Sequence, residues 1–186
     1  MIYDSSRHEP ITNEVWSKDE ALEQVNLIFD FLCNGRQQNG LWPTHKDEDS
    51  AIAFNKSIYF GGAGTVWGLN ELSKLINRKL PFDIKEESSN IYQKYLQEPD
   101  TESIVPSQLL GETGILELCH KFAPSNSILE RLRFCIESNI RNPTNEALWG
   151  CPGTMLIALR IGEVKLFQSS ADYLFEQWLQ KPEALS

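Results

Sequence analysis

Residues 108–122 read Gln108-Leu-Leu-Gly-Glu-Thr-Gly-Ile-Leu-Glu-Leu-Cys-His-Lys-Phe122, two glycines spaced as Gly-x-x-Gly and then a dense apolar run. One such motif is a turn signal and little more. Two further copies occur, however: Gly61-Gly-Ala-Gly64 ahead of Val66, Trp67, Leu69, Leu72, Leu75 and Ile76, and Gly150-Cys-Pro-Gly153 ahead of Met155, Leu156, Ile157, Ala158, Leu159 and Ile161. The three starts stand 50 and 39 residues apart, so the chain carries an internal repeat. Glycine at the head of a helix lets the loop turn sharply and lets the first turn approach a neighbour where a Cβ would collide. Gly61, Gly64, Gly111, Gly114, Gly150 and Gly153 are therefore read as structural glycines.

Outward from these motifs, each apolar helix is followed by an amphipathic one. Pro81 breaks the chain before Ile84, Ile91, Tyr92, Tyr95 and Leu96, which recur among Lys85, Glu86, Glu87, Lys94 and Glu98. Pro124 precedes Ile128, Leu129, Leu132, Cys135, Ile136 and Ile140, set among charged residues; Gly162 precedes Val164, Leu166, Phe167, Ala171, Leu174, Phe175, Trp178 and Leu179, which run out at Pro182. Upstream, Ser17-Lys-Asp-Glu20 supplies an N-cap and an acidic first turn to a helix carrying Leu22, Val25, Ile28, Phe29 and Leu32 and ending at Gly35. Residues 1–16 read as an irregular N-terminal segment. Residues 35–56 read as a long surface loop, with Leu41-Trp42 as its anchor and a charged run at Lys46-Asp-Glu-Asp49. No strand-like alternation of useful length occurs. The expected fold is all-α and a single domain over 1–186, with the glycine-led helices inside, the first of them buried on most sides, and amphipathic helices outside.

Composition narrows the function. The 186 residues carry 17 Lys+Arg against 26 Asp+Glu, a net charge of −9, the wrong sign for a surface that neutralises nucleic-acid phosphates. No apolar run approaches the roughly 18–20 residues of a spanning helix, and the start of the chain lacks the basic and apolar regions of a signal peptide, so a soluble, cytoplasmic protein is expected. Cys33, Cys119, Cys135 and Cys151 form no Cys-x-x-Cys pair and read as reduced thiols. His8, His45 and His120 make no zinc-ligand spacing with them.

The stretches Ser57–Leu69, Gln108–Leu116 and Asn145–Leu159 together resemble the first three glycine repeats of the lanthionine synthetase C-like (LanC-like) family, within a similarity running from about Ser17 to about Leu179. The resemblance implies an α/α toroid (barrel) of helical hairpins, of which 186 residues make about half a ring. It also implies a link to zinc enzymes that add cysteine thiols to dehydrated serine or threonine residues, a chemistry in which zinc holds the thiol as thiolate. The family's zinc ligands lie in a Trp-Cys motif and a Cys-His-Gly motif, and its active-site histidine in a His-Gly motif, all in later repeats; none occurs here. The expectation is a chain without its own cofactor and non-catalytic alone. Half a ring leaves apolar helix faces at both cut ends, so a homodimer or a second chain is expected to cover them, and the last helix, with Leu174, Phe175, Trp178 and Leu179, carries no polar outer face to close the array.

Candidate residues carry two readings each. Cys119-His120 is followed by Lys121 rather than glycine, and adjacent helical residues point about 100° apart, which favours a core thiol beside a helix-end histidine over a metal pair. Glu112, at a helix start, is read as a cap favoured by the helix dipole, and Glu146 in the same way. If the mouth of a toroid is used, Trp42, Trp67, Glu112 and Trp149 are the residues placed to touch a ligand; each tryptophan reads more readily as core. Two functions follow: a LanC-like relative of thioether cyclases, or a stand-alone helical-repeat module that binds a peptide or protein. A carbohydrate-active α/α barrel would need two facing carboxylates, and no such pairing is visible.

Overall fold

The computed structural model describes residues 15–45 and 52–180. His8, the charged run at 46–49, most of the N-terminal segment, the Leu179 side chain and Pro182 lie outside the described residues. Among the described residues there are seven helices and no strand: α1 Lys18–Gly35, α2 Gly62–Leu75, α3 Ile84–Gln97, α4 Glu112–Phe122, α5 Asn126–Asn139, α6 Cys151–Arg160 and α7 Val164–Gln180. The fold is all-α.

The two kinds of helix begin differently. Helices α1, α3 and α5 are capped by side chains: Ser17, Asp83 and Ser125 accept hydrogen bonds from the first-turn amides of Glu20, of Lys85 and Glu86, and of Ile128. Helices α2, α4 and α6 have Gly61, Gly111 and Gly150 as N-caps, none of which offers a side chain. The loop backbone replaces the cap at two of them. Gly62 and Ala63 donate to the carbonyls of Asn55 and Lys56 at 2.9 and 3.1 Å, and Glu112 and Thr113 donate to Val105 and Ser107 at 2.9 and 3.2 Å.

This return of the loop onto the helix start explains the glycines. A Cβ at any of Gly61, Gly64, Gly111, Gly114, Gly150 or Gly153 would fall within 3.0 Å of backbone belonging to the residue six positions upstream, respectively Asn55, Ile58, Val105, Gln108, Thr144 and Ala147. The same turn chemistry recurs in each loop. Ser57 Oγ accepts from the Phe60 amide at 3.5 Å, Ser107 Oγ from Leu110 at 3.1 Å, and Glu146 from Trp149 at 2.8 Å. Phe60, Leu110 and Trp149 are thus equivalent positions of three copies of one loop.

Consecutive copies also lock together. Ile58 Cγ1 lies 2.6 Å from where a Gly114 Cβ would stand, and Gln108 Cβ lies 3.1 Å from that of Gly153. The Tyr59 amide donates to the Leu109 carbonyl at 3.0 Å. The close neighbour expected at each glycine is therefore double: the helix's own upstream loop at all three, and the preceding copy's loop at Gly114 and Gly153.

Helices α2, α4 and α6 pack side by side, and each also packs on the amphipathic helices that flank it in sequence. Two apolar clusters fill the space between these layers. One joins Leu41, Ala63, Val66, Ile91, Tyr95, Ile115 and Leu118; the other joins Leu116, Leu132, Cys135, Ile136, Ile157 and Ala158, and Tyr92 packs against both. Leu41 is buried as the sequence suggests, while Trp42 sends its indole N–H to the Leu32 carbonyl at 2.6 Å and stands edge-on to Phe82. One expectation needs correction. Helix α2 is not buried on most sides, because Trp67 and Leu75 are exposed on it, and α6 likewise exposes Leu156 and Leu159. The layer they form is covered by amphipathic helices on one side and open on the other.

A buried ionic group fixes the first loop. Lys56, 1% exposed, sends its ammonium to Glu98 at 2.7 Å, while Asp100 accepts from the amides of Lys56 and Ser57 at 2.7 and 2.6 Å. The chain after α3 is thereby tied to the loop ahead of α2.

Candidate functional site

Counting from the second glycine of each copy places the open face in register. Three residues on stand Trp67, Glu117 and Leu156; seven on stand Glu71, Lys121 and Arg160. Residues three, four and seven apart share a helix face, so these side chains form two rows across α2, α4 and α6. One ion pair runs along the second row, Lys121 to Glu71 at 3.2 Å, and one crosses between the rows, Arg160 to Glu117 at 3.0 Å. Glu71, also paired with Lys74, is held at about 2 by the hydrogen bonds of Lys74 and Lys121, well below an ordinary carboxyl.

Above these rows lies a cleft of about 400 Å³. Ile58 and Leu118 supply apolar wall, and Gly114 contributes no side chain. Trp67, 50% exposed, offers part of its indole. Lys121, Arg160 and Glu117 supply charge, and Gln108 lines the cleft from the loop ahead of α4. Gln108 is 8% exposed, and its carboxamide makes no hydrogen bond among the described residues. An amide without a protein partner leaves two donors and a carbonyl acceptor unused.

The four residues singled out in the sequence are not brought together. Trp67 alone lines the cleft. Trp42 packs in the core between α1 and the start of α3. Trp149, 40% exposed, sits at the head of α6, where its carbonyl accepts from Asn139 and Asn142 at 3.3 and 3.2 Å. Glu112, 1% exposed, points between α3 and α5. It accepts from Tyr92 Oη at 2.6 Å, from Arg131 Nε and Nη2 at 2.8 and 2.7 Å, and from the Cys135 thiol at 3.4 Å. Burial pushes the Glu112 carboxyl up, but the hydrogen bonds of Arg131 and Tyr92 outweigh it and hold it below the usual range. Glu146 accepts from the amides of Leu148 and Trp149 and so stabilises its turn. Gln108, Glu117, Lys121 and Arg160 were not among the sequence candidates; aligning the three copies on their second glycine is the signal that places the last three on one face.

The Cys119 thiol donates to the Ser88 carbonyl at 3.3 Å, facing α3, and burial pushes it up to about 12. Among the described residues no group of three or more His, Cys, Asp or Glu is placed to hold a metal ion, and no helix is long and apolar enough to cross a membrane.

Comparison with models of protein families, with curated proteins and with solved structures finds no match for this chain. The class that the structure defines is, among the described residues, an all-helical protein of glycine-led hairpins with one face of the glycine-led layer exposed.

Proposed function

We propose that this protein is a binding module whose open face, formed by α2, α4 and α6, takes a segment of peptide or protein. The observation that carries the reading is the cleft spanning all three glycine-led helices, lined both by the half-exposed Trp67 and by Gln108, whose carboxamide has no hydrogen-bond partner among the described residues. Apolar wall with a few convergent polar groups is what a recognition site needs. An extended peptide presents both a backbone amide pair for Gln108 and side chains for Trp67.

The module is a relative of the LanC-like family, its three hairpins corresponding to the first three of an α/α toroid, and it works in the cytoplasm. The common loop geometry at Gly61–Gly64, Gly111–Gly114 and Gly150–Gly153 supports that relationship. Thioether formation is the inherited reaction class only where zinc ligands are supplied from elsewhere, since Cys119 and His120 do not supply them. A second copy of the chain covers the apolar residues exposed on the terminal helices, Leu27, Ile28 and Phe31 on α1 and Phe175 and Trp178 on α7. The carbohydrate reading has less support: the cleft is lined by one carboxylate, Glu117, and Arg160 already pairs with it.

A peptide-display selection on the purified protein tests the reading. Enriched peptides that lose binding on Trp67→Ala support it. Enriched peptides that bind the Trp67→Ala protein equally well, or no enrichment over an unrelated helical protein, contradict it.

A further inference from the structure

Arg160 is only half used. Both of its hydrogen bonds to Glu117, at 3.0 and 3.2 Å, leave from Nη1. The Nε and Nη2 edge, the side of a guanidinium that holds a carboxylate by two parallel bonds, makes no hydrogen bond among the described residues. Lys121 lies on the same wall, and the lining as a whole carries two cations against the one carboxylate of Glu117, in a chain whose net charge is −9. The pairs that hold these cations are largely in contact with water and so weak, and an incoming anion meets little competition.

The neutral end of the cleft lies at Gln108. Its side chain rests on Gly153, with Oε1 3.2 Å from where a Cβ would stand. Arg160 reaches toward Glu117, three residues and about 4.5 Å of helix rise beyond Gly114, the counterpart of Gly153 in the neighbouring copy. Arg160 itself stands seven residues, about 10.5 Å of rise, beyond Gly153, and its side chain, turned back onto Glu117, shortens the span from the Gln108 amide toward roughly one helical turn. One peptide group, one Cα and one carboxylate bridge such a span. The substituent on that Cα then faces Trp67 and Leu118.

From this arrangement we infer that the cleft recognises an acylated α-amino acid with a free carboxylate and an apolar side chain: carboxylate on the open edge of Arg160, flanked by Lys121; amide on the Gln108 carboxamide; side chain on Trp67. Such a group occurs as a free N-acyl amino acid and as the C-terminal residue of a peptide. The inference rests on the reading of the open face as a binding face and adds the chemistry of the ligand.

The test is calorimetric titration of the purified chain with four probes: N-acetyl-L-phenylalanine, its carboxamide, and a decapeptide ending in phenylalanine with a free or an amidated C-terminus. The free acids are expected to bind about tenfold more tightly than the amides, the effect of one charge-assisted contact. Arg160→Gln is expected to abolish that preference, and Gln108→Met, which keeps the side-chain length, to weaken both acids about three- to tenfold. Circular dichroism establishes that each variant is folded. A tighter decapeptide identifies a peptide C-terminus as the ligand; equal affinity for the two acids identifies the free N-acyl amino acid. Equal binding of acids and amides, no heat from any of the four at millimolar concentration, or a preference that survives Arg160→Gln overturns the inference. If the two decapeptides bind equally and Trp67→Ala weakens both, the binding face stands and the carboxylate specificity falls; if Trp67→Ala weakens neither, both fall.

Discussion

The side chain of Ile58 stands over Gly114, its Cγ1 2.6 Å from the position a Cβ would take, and Gln108 repeats the relationship on Gly153 at 3.1 Å. Each copy of the loop is thus closed by the missing side chain of the next. The contact couples neighbouring hairpins by close approach, and it makes the second glycine of the later two motifs, Gly114 and Gly153, the most sensitive point of the joint.

Gly114→Ala should therefore cost about 2–3 kcal/mol, because the new methyl meets both Ile58 and the Gln108 carbonyl in a packed site. Gly68, in the middle of α2, has nothing within 4 Å of its would-be Cβ. Gly68→Ala should stabilise by about 0.5–1 kcal/mol through helix propensity. Urea unfolding of the two variants beside the parent chain checks both signs.

Glu112 is expected to behave as a structural anchor. Glu112→Ala strands Tyr92 Oη and the Arg131 guanidinium at the junction of α3, α4 and α5. The loss should be about 2–3 kcal/mol, less than for a wholly buried pair because Arg131 is partly in water. Since folding lowers the Glu112 carboxyl below its ordinary 4.5, the unfolded chain binds that proton more readily. Its contribution is complete above pH 4.5 and is lost as pH falls through the folded value. Urea midpoints at pH 7 and pH 3 should therefore differ less for Glu112→Gln than for the parent.

Removing Asp100 should loosen the loop ahead of α2. It takes acceptors from the amides of Lys56 and Ser57 and leaves the buried Lys56 ammonium with Glu98, whose side chain is 69% exposed. Asp100→Ala is expected to cost about 3 kcal/mol and to speed hydrogen exchange at residues 56–58 before the rest of the protein.

The thiols should divide by burial. Burial pushes Cys119 up to about 12, burial together with the Glu112 charge brings Cys135 to about 12, and burial also raises Cys151. Cys33, half-buried on α1, is the accessible one. Iodoacetamide at pH 8 should label Cys33 in the folded protein and the other three only in urea, as mass spectrometry of the peptides would show.

Much of the fold is legible in the sequence because its determinants are local. Glycine pairs, the prolines after α2 and α4, and the Ser17 cap each act within a few residues, and they mark the helices that form. The anchor at Leu41-Trp42 is legible for the same reason, two large apolar residues in an otherwise polar loop. The site is less so. Glu112 looks like a cap until Tyr92 and Arg131, 20 and 19 residues away, arrive from helices on either side. Gln108 looks like one polar loop residue; that it is shielded by Gly153, from the next copy, is a property of the assembled array. Trp67, Trp42 and Trp149 cannot be separated by composition, since what distinguishes them is the face of the layer on which each falls.

The binding face is tested most directly by nuclear magnetic resonance of the protein with a display-selected peptide. The expected result is a set of shifts in the Trp67 indole N–H, the Gln108 side-chain amide and the backbone amides of Glu117 and Lys121, with Trp42 and Trp149 unmoved. Shifts confined to α1 and α7, with Trp67 and Gln108 unchanged at saturation, would contradict it.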